Sequence, residues 1–579
     1  MSEATGGLSA GFAARFSRPL VADVVVGLAV FIVLFAVIAL TDSANVPMPP
    51  SNDSAISSNP WDLPYYAARS LLRMMVALGL SYAFSLVFGY WAARNRKAEK
   101  IMVPALDILQ SVPVLGFLSI TVTGFIALFP GSELGLECAS IFAIFTAMAW
   151  NITFSMYASS RSMSTEFDEM SRLFRLTAWM RFWRLDVPNA TIGLVWNGMM
   201  SMAGAWFFLT ASEDLTVNGN SYAIPGVGAF AGEAIDAGNW GNMAWAVVTM
   251  IIMIILVNIV LWRPLVAWSE KFRNEQASSG TAPKSFVLTW IRRARWPKKL
   301  GRIRQRASEW LVRHTRFLGT DARPIERIVT PRSRVWDVVF WVVVTAVLLV
   351  GLVGLYLYVT EGQGPSAFVE PLWLAFLTLL RVVVVIVLST LIWVPVAVKV
   401  GLNPRLARIA QPVVQVCASF PANFLYPVVV TVFVAWHISL NWGAILLMML
   451  GAQWYIMFNT IAGAQAIPTD LREAMADMRV GGWLWWKTFA LPAVFGAYVT
   501  GGVTAAGGAW NASIVAERVS FGTTVLVAAG IGAYISEASA TGNSHQVLLG
   551  VVVMSVFVVT FNRVFWKRMY RLAQTRYAL

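Results

Sequence analysis

Two polar stretches of this 579-residue chain carry the same reactive side chains at the same spacing. The first runs Thr165-Glu166-Phe167-Asp168-Glu169-Met170-Ser171-Arg172-Leu173-Phe174-Arg175 and ends at Leu185-Asp186-Val187-Pro188. The second runs Thr469-Asp470-Leu471-Arg472-Glu473-Ala474-Met475-Ala476-Asp477-Met478-Arg479 and ends at Phe489-Ala490-Leu491-Pro492. Each sets a Glu six residues before an Arg, and that Arg thirteen residues before a Pro. Thr165 and Thr469 fit helix N-caps, and the acidic residues after them suit the positive end of the helix dipole. Gly481 and Gly482 break the second stretch, and Thr177-Ala178 stand at that point of the first. Pro188 and Pro492 fit the first turn of a following helix. A repeated, charged, helical loop is a docking surface for something soluble rather than a reaction centre.

Other side chains stand inside apolar runs. Arg73 and Arg381 are costly there and are candidates to hold an oxyanion on a pathway. The competing reading is a structural Arg that snorkels or caps carbonyls. Asp107 corresponds in the repeat to Gln415, so the two halves differ chemically. Gln110, Asn197, Gln453, Asn459 and Asn511 fit either a wet path or interhelical hydrogen bonds. Trp206 and Trp510 fall near the seam by repeat logic. Two cysteines, Cys138 and Cys417, and three scattered histidines make neither a disulfide framework nor a metal cluster. No Gly-Lys dipeptide occurs, which excludes a phosphate-cradling Walker A loop.

The elements that must position these residues are membrane helices. The chain is 58% hydrophobic and 13% charged, against about 25% charged in a soluble domain. Apolar runs near the length of a membrane span recur. Twelve spans are read, at 21–41, 67–93, 102–128, 136–158, 190–211, 242–262, 336–359, 372–398, 410–434, 441–465, 493–514 and 545–566. Residues 1–41 also resemble a signal peptide, but the apolar run is long for one, and 336–359 supplies a matching extra span in the second half. The net charge of +14 is nearly all in residues 263–335, with 18 Lys/Arg against 5 Asp/Glu. This localisation excludes a nucleic-acid partner and marks a cytoplasmic linker, as the positive-inside rule requires. Residues 42–66 and 212–241 have no Lys or Arg. Both termini and both Glu-containing loops are therefore expected in the cytoplasm. Arg518 is the clear exception to the charge pattern.

The repeat extends beyond the loops. Leu71-Leu72-Arg73 aligns with Leu379-Leu380-Arg381, Pro104 with Pro412 and Pro113 with Pro421, all 308 residues apart. Gly204-Ala205-Trp206 aligns with Gly508-Ala509-Trp510, Glu213 with Glu517, Gly228 with Gly532 and Glu233 with Glu537, all 304 apart. The chain therefore reads as an all-α polytopic membrane protein of about twelve transmembrane helices in two tandem six-helix repeats. The first transmembrane domain is 1–262, with core 67–262 and coupling loop 164–188. The basic linker is 263–335. The second domain is 336–579, with core 372–566 and coupling loop 468–492.

The loop pattern resembles the EAA loop of binding-protein-dependent ABC importer permeases. Leu71-Leu72-Arg73, Pro104 with Pro113, and Gly226-Val227-Gly228 with Gly530-Ile531-Gly532 resemble the nitrate/sulfonate/taurine branch. The likeness covers about 67–262 and 372–566, as in duplicated permeases where one polypeptide supplies both transmembrane halves. It implies a type I importer-like fold and a transport subunit of the bacterial inner membrane that imports a small nitrate-, sulfonate- or carboxylate-like anion. It implies no cofactor in this chain, with ATP and Mg held by two copies of a separate cytoplasmic ATPase. A periplasmic substrate-binding protein is the further implied partner. Thr165, Glu169, Arg175, Pro188, Thr469, Glu473, Ala474, Arg479, Gly481, Gly482 and Pro492 would form the coupling sites. Arg73, Asp107, Gln110, Arg381, Gln415 and Asn511 would line the substrate path. The sequence departs from the pattern at Arg175 and Arg479, where the family has Gly, and the first loop lacks both alanines. A dedicated ATPase with matching acidic residues is the expectation. The linker, with Trp290 to Trp296 and Ile303 to Phe317, reads as basic helices on anionic lipid. A 6+6 secondary transporter explains the repeat but not the loops, and a membrane enzyme lacks clustered reactive groups.

Overall fold

The computed structural model describes residues 56–174, 176–217, 220–272, 287–289, 334–360, 364–521 and 524–577. The expected span at 21–41, most of the linker and Arg175 lie outside the described residues.

Each half repeats one order of elements. In the first, a long helix Leu63–Arg94 leads to Arg96–Ser111, Val114–Leu128 and Leu134–Arg161. The loop helices Thr165–Leu173 and Ala178–Arg181 follow, then Val187–Glu213. A hairpin of β1 (Asp214–Val217) and β2 (Asn220–Ala223) precedes Val227–Asp236 and Trp240–Val257. In the second half the order is Val369–Leu402, Pro404–Ser419, Tyr426–Ala435, Leu440–Gln465, Thr469–Asp477, Gly482–Trp485 and Leu491–Ala516. The hairpin of β3 (Arg518–Phe521) and β4 (Thr524–Val527), then Ile531–Thr541 and Ser544–Phe561, complete it. Both hairpins are antiparallel, with Asp214 opposite Ala223 and Arg518 opposite Val527.

Eight helices among the described residues are long and apolar enough to cross a membrane, four per half. The expected single spans at 102–128 and 410–434 are instead bent pairs, turning by 94° and 84°. The cause is local. Val112 and Phe420 precede Pro113 and Pro421 and take extended backbone angles, because the proline ring disfavours the helical region for the residue before it. Asn95 and Asn403, again 308 apart, cap the helices entering the two bends with their side-chain carbonyls. The expected span at 336–359 lies within helix Arg334–Thr360, whose apolar part is the shorter Thr345–Thr360.

Each half buries its own core. Met74, Ile144, Met148, Leu209, Phe230 and Met250 anchor the first. Val382, Leu447, Ile456, Trp510, Ile531 and Met554 anchor the second. The two bends trade places across the seam. Val112 and Leu115 pack on the second core, while Phe420 and Phe424 pack on the first. A backbone N–H of the first half, at Val114, donates to Asn511 Oδ1 of the second at 2.9 Å. The Thr210 and Asn423 side chains bond across the same seam at 3.3 Å.

Candidate functional site

The two arginines weighed as oxyanion ligands or as structural groups are both paired with buried carboxylates. Arg73, 2% exposed, donates from Nε to Glu137 Oε2 at 2.5 Å and from Nη1 to Glu213 Oε1 at 2.7 Å. Arg69 adds a bond to Glu137. In the second half Arg381 Nη1 donates to Glu517 Oε1 at 2.7 Å, and its other nitrogens reach the carbonyl and side chain of Asn441 at 3.1 Å. Neither Arg73 nor Arg381 lines either of the two larger cavities. With their charges already matched by buried carboxylates, the geometry supports the structural alternative over the anion-ligand expectation.

The partner carboxylates explain a motif. Glu213 Oε2 accepts the Gly228 N–H at 2.7 Å, and Glu517 Oε2 accepts that of Gly532 at 2.8 Å. Each Glu thereby caps a helix N-terminus and pins the hairpin beside it. A Cβ at Gly226 or Gly530 would collide with these carboxyls. Ser70 and Thr378 bridge the same groups, donating to Glu213 and Glu517 while accepting from Val227 and Ile531. Sequence reading paired the glutamates by repeat offset without assigning them a role. The signal available was the recurrence of Arg, Ser/Thr and Gly at matching offsets.

Two cavities lie on the seam, separated by the two proline bends. The larger, about 480 Å³, runs from mid-span toward the loop end and is lined by both halves. Asp107, Gln110 and Asn511 line it, with Tyr455, Arg563 and Lys567. The smaller, about 320 Å³, opens at the hairpin end, with Asp214, Asp236, Tyr426 and Arg518 on its walls. Val114 and Ala422 face the first cavity, while Leu115 and Asn423 face the second. Gln415, the repeat mate of Asp107 and a candidate for the same path, lines a separate small recess against Trp206 and Trp262. Burial and the neighbouring Asp236 and Glu233 push the Asp214 carboxyl up to about 7.

The two loops share a path and differ in what holds them. Each short helix turns into a second one and then through a π-helical turn, Phe182–Asp186 or Trp486–Ala490, before the long span. Pro188 and Pro492 lie in the first turn of that span. Glu169 and Glu473 are exposed. Thr469 is the first helical residue and makes no cap; Pro468 occupies the cap position, correcting the expectation. Thr177 does cap its helix, accepting from the Met180 N–H. Arg479 adopts φ of 50°, in the left-handed region, and Gly482 follows with φ of 60°. The family glycine expected at Arg479 thus falls where glycine is least strained.

In the first loop, Asp168 is paired to Arg181 at 2.5 Å, and the fully buried Asp186 is paired to Arg94. Arg181 also donates to Ser171 Oγ at 3.1 Å. Residues 304 further on, Arg472, Trp485 and Ala490, hold no such network. There Arg472 donates to the Ala464 carbonyl at 2.8 Å, and Trp485 packs on Phe489.

A membrane-embedded, two-fold repeated helical body with paired loops on one end and cavities on its seam defines a transport protein architecture. The chain belongs to the family described as binding-protein-dependent transport system inner membrane component, which matches residues 85–263 and 393–571. It is a multi-pass membrane protein with two copies of that unit. It is 24% identical over 190 residues to the nitrate import permease protein NrtB of Leptolyngbya laminosa, covering 33% of this chain and 64% of the relative. It is 26% identical over 191 residues to the bicarbonate transport system permease protein CmpB of Synechococcus elongatus, covering 33% and 66%. It is 24% identical over 220 residues to the glycine betaine/carnitine transport permease protein GbuB of Listeria monocytogenes, covering 37% and 70%. The match thus spans slightly less than two thirds of the nitrate and bicarbonate relatives' length.

Proposed function

We propose that this chain is the whole transmembrane part of an ATP-driven importer, taking a small nitrate-, sulfonate- or carboxylate-like solute across the bacterial inner membrane. Both termini face the cytoplasm. Two copies of a separate ATPase, which bind the ATP and Mg, seat beneath the two loops, one per half. Thr165, Glu169 and Arg175, with Thr469, Glu473, Ala474 and Arg479, form the contact surfaces. Pro188 and Pro492 begin the helices that carry motion inward, and Gly481 and Gly482 set the second elbow. A periplasmic binding protein delivers solute at the hairpin end. The names of the relatives, which include nitrate, bicarbonate and glycine betaine/carnitine permeases, support this substrate range.

The observation that carries the reading is the continuity of each exposed loop with a seam helix. Val187–Glu213 and Leu491–Ala516 start at the elbows and supply Ser201, Gly204 and Phe207, or Thr504, Gly508 and Asn511, to the cavity wall. ATP-driven closure beneath the elbows would tilt these helices and shift which cavity is open, a population shift driven by binding at a distance. The test is purification of the chain from its native host. The reading expects an ATPase to come with it, with ATP turnover that falls when Glu473→Arg or Arg479→Glu is introduced. Unchanged complex yield after both reversals would contradict the docking role.

A further inference from the structure

The charges on the two cavities sort by half. In the hairpin-end cavity, Asp214 and Asp236 come from the first half and Arg518 from the second. In the loop-end cavity, Asp107 comes from the first half and Arg563 and Lys567 from the second. No charged lining residue of either cavity breaks the rule. Repeat mates make the point sharper. The position 304 after Asp214 is Arg518 itself, while Asp236 corresponds to Ala540, Asp107 to Gln415 and Arg563 to Ile259; Lys567 has a like-charged mate, Arg263, which lies outside the cavity lining. Two identical subunits related by a two-fold axis must present the same residues on both walls. Duplication within one chain lifts that constraint, and here the walls carry opposite sign.

We propose that the seam recognises a small zwitterion, its cationic centre against the first half and its anionic centre against the second. This rests on the importer reading and narrows its substrate class. A bare anion near Arg518 also meets Asp214 and Asp236, and like charges brought together cost affinity. A solute with both signs satisfies both walls. Among the described residues no ion pair joins Arg518 to Asp214 or Asp236, so the opposed charges do not simply latch the halves together. Tyr426, 2% exposed and on the same cavity, has a hydroxyl without a hydrogen-bond partner, a further polar group for a ligand. Cavities of about 320 and 480 Å³ suit a small solute.

The experiment is calorimetric titration at pH 8, above the raised Asp214 carboxyl at about 7, of the purified full chain in lipid nanodiscs. Taurine and glycine betaine are the zwitterionic probes; acetate, nitrate and tetramethylammonium are the single-charge probes. The zwitterions should bind about tenfold or more tightly than any single-charge ion. Asp214→Asn and Arg518→Gln should each weaken zwitterion binding about tenfold, as expected for loss of one charge-assisted contact. The exchange Asp214→Arg with Arg518→Asp should restore it, because the ligand can bind reversed; a merely structural pair would not recover ligand affinity. Thermal melting of each variant separates misfolding from lost recognition. Nitrate or acetate binding as tightly as the zwitterions, zwitterions failing to bind, or unaltered binding in both single variants overturns the proposal. ATPase co-purification in the same preparations reports separately on the importer reading, which survives a preference for bare anions but not the loss of the ATPase.

Discussion

The first half holds its buried arginine with two carboxylates, and the second holds its own with one carboxylate and one amide. Arg73 meets Glu137 and Glu213; Arg381 meets Glu517 and Asn441. Asn441 stands 304 residues after Glu137, and Leu377 stands 308 after Arg69. The second half therefore carries one positive and one negative group fewer, and its cluster is as balanced as the first. The same contrast runs through the elbows, where ion pairs in one half give way to carbonyl contacts and indole packing in the other. Geometry is kept across the duplication while charge is free to change, provided each buried group keeps a partner.

This contrast can be broken most severely at the buried clusters. Arg73→Ala strands the buried Glu213 and leaves Glu137 with Arg69 as its one cation, and should cost about 3–5 kcal/mol. Arg381→Ala strands Glu517 and frees only the neutral Asn441, and should cost about 3 kcal/mol, the low end of that range. Thermal unfolding of the purified chain measures both, and equal losses would mean that the clusters are not the unequal devices their geometry implies. The elbows come next. Asp186→Ala removes the buried partner of Arg94 and should loosen the first loop by about 2 kcal/mol, whereas Arg472→Ala should loosen the second by about 1 kcal/mol. Limited proteolysis within 164–188 and 468–492 reads each loop separately. At the smallest scale, Arg479→Gly should stabilise the second elbow by about 1 kcal/mol, since it relieves a left-handed backbone that a side chain disfavours.

The hairpin-end cavity adds a pH test. Asp214 has its carboxyl raised to about 7, by burial first and then by Asp236 and Glu233, with Arg518 on the facing wall. A raised acid stabilises the fold most while protonated. Its contribution is present below the ordinary carboxylate range and is lost as pH rises through about 7. Asp214→Asn should remove that pH dependence, whereas Arg518→Ala should leave it or enlarge it. Melting curves from pH 4 to pH 8 measure the difference.

Much of this was legible in the chain. The tandem offsets of 304 and 308 and the elbow residues all lie in local patterns, and the bends fall at two prolines that sequence reading had paired. What sequence reading missed is long-range. It reads residues 102–128 and 410–434 as single spans because hydropathy is blind to a turn inside an apolar run. It leaves Arg73 between an anion-binding and a structural role because the neutralising Glu137 and Glu213 are 64 and 140 residues away. Glu213 itself sits at the end of a span, where an acid ordinarily reads as the start of a loop. Asp186 fell inside the loop motif as an unassigned position, and only its approach to Arg94, 92 residues earlier, gives it a role.

On the proposed function, each half carries one elbow that seats one ATPase. Native mass spectrometry of the purified complex counts the ATPase chains bound to each permease chain. Two are expected on the unaltered protein, one when Glu169→Arg or Glu473→Arg is introduced alone, and none when both are present. Two ATPase chains retained after both substitutions, or none on the unaltered chain, would contradict the account.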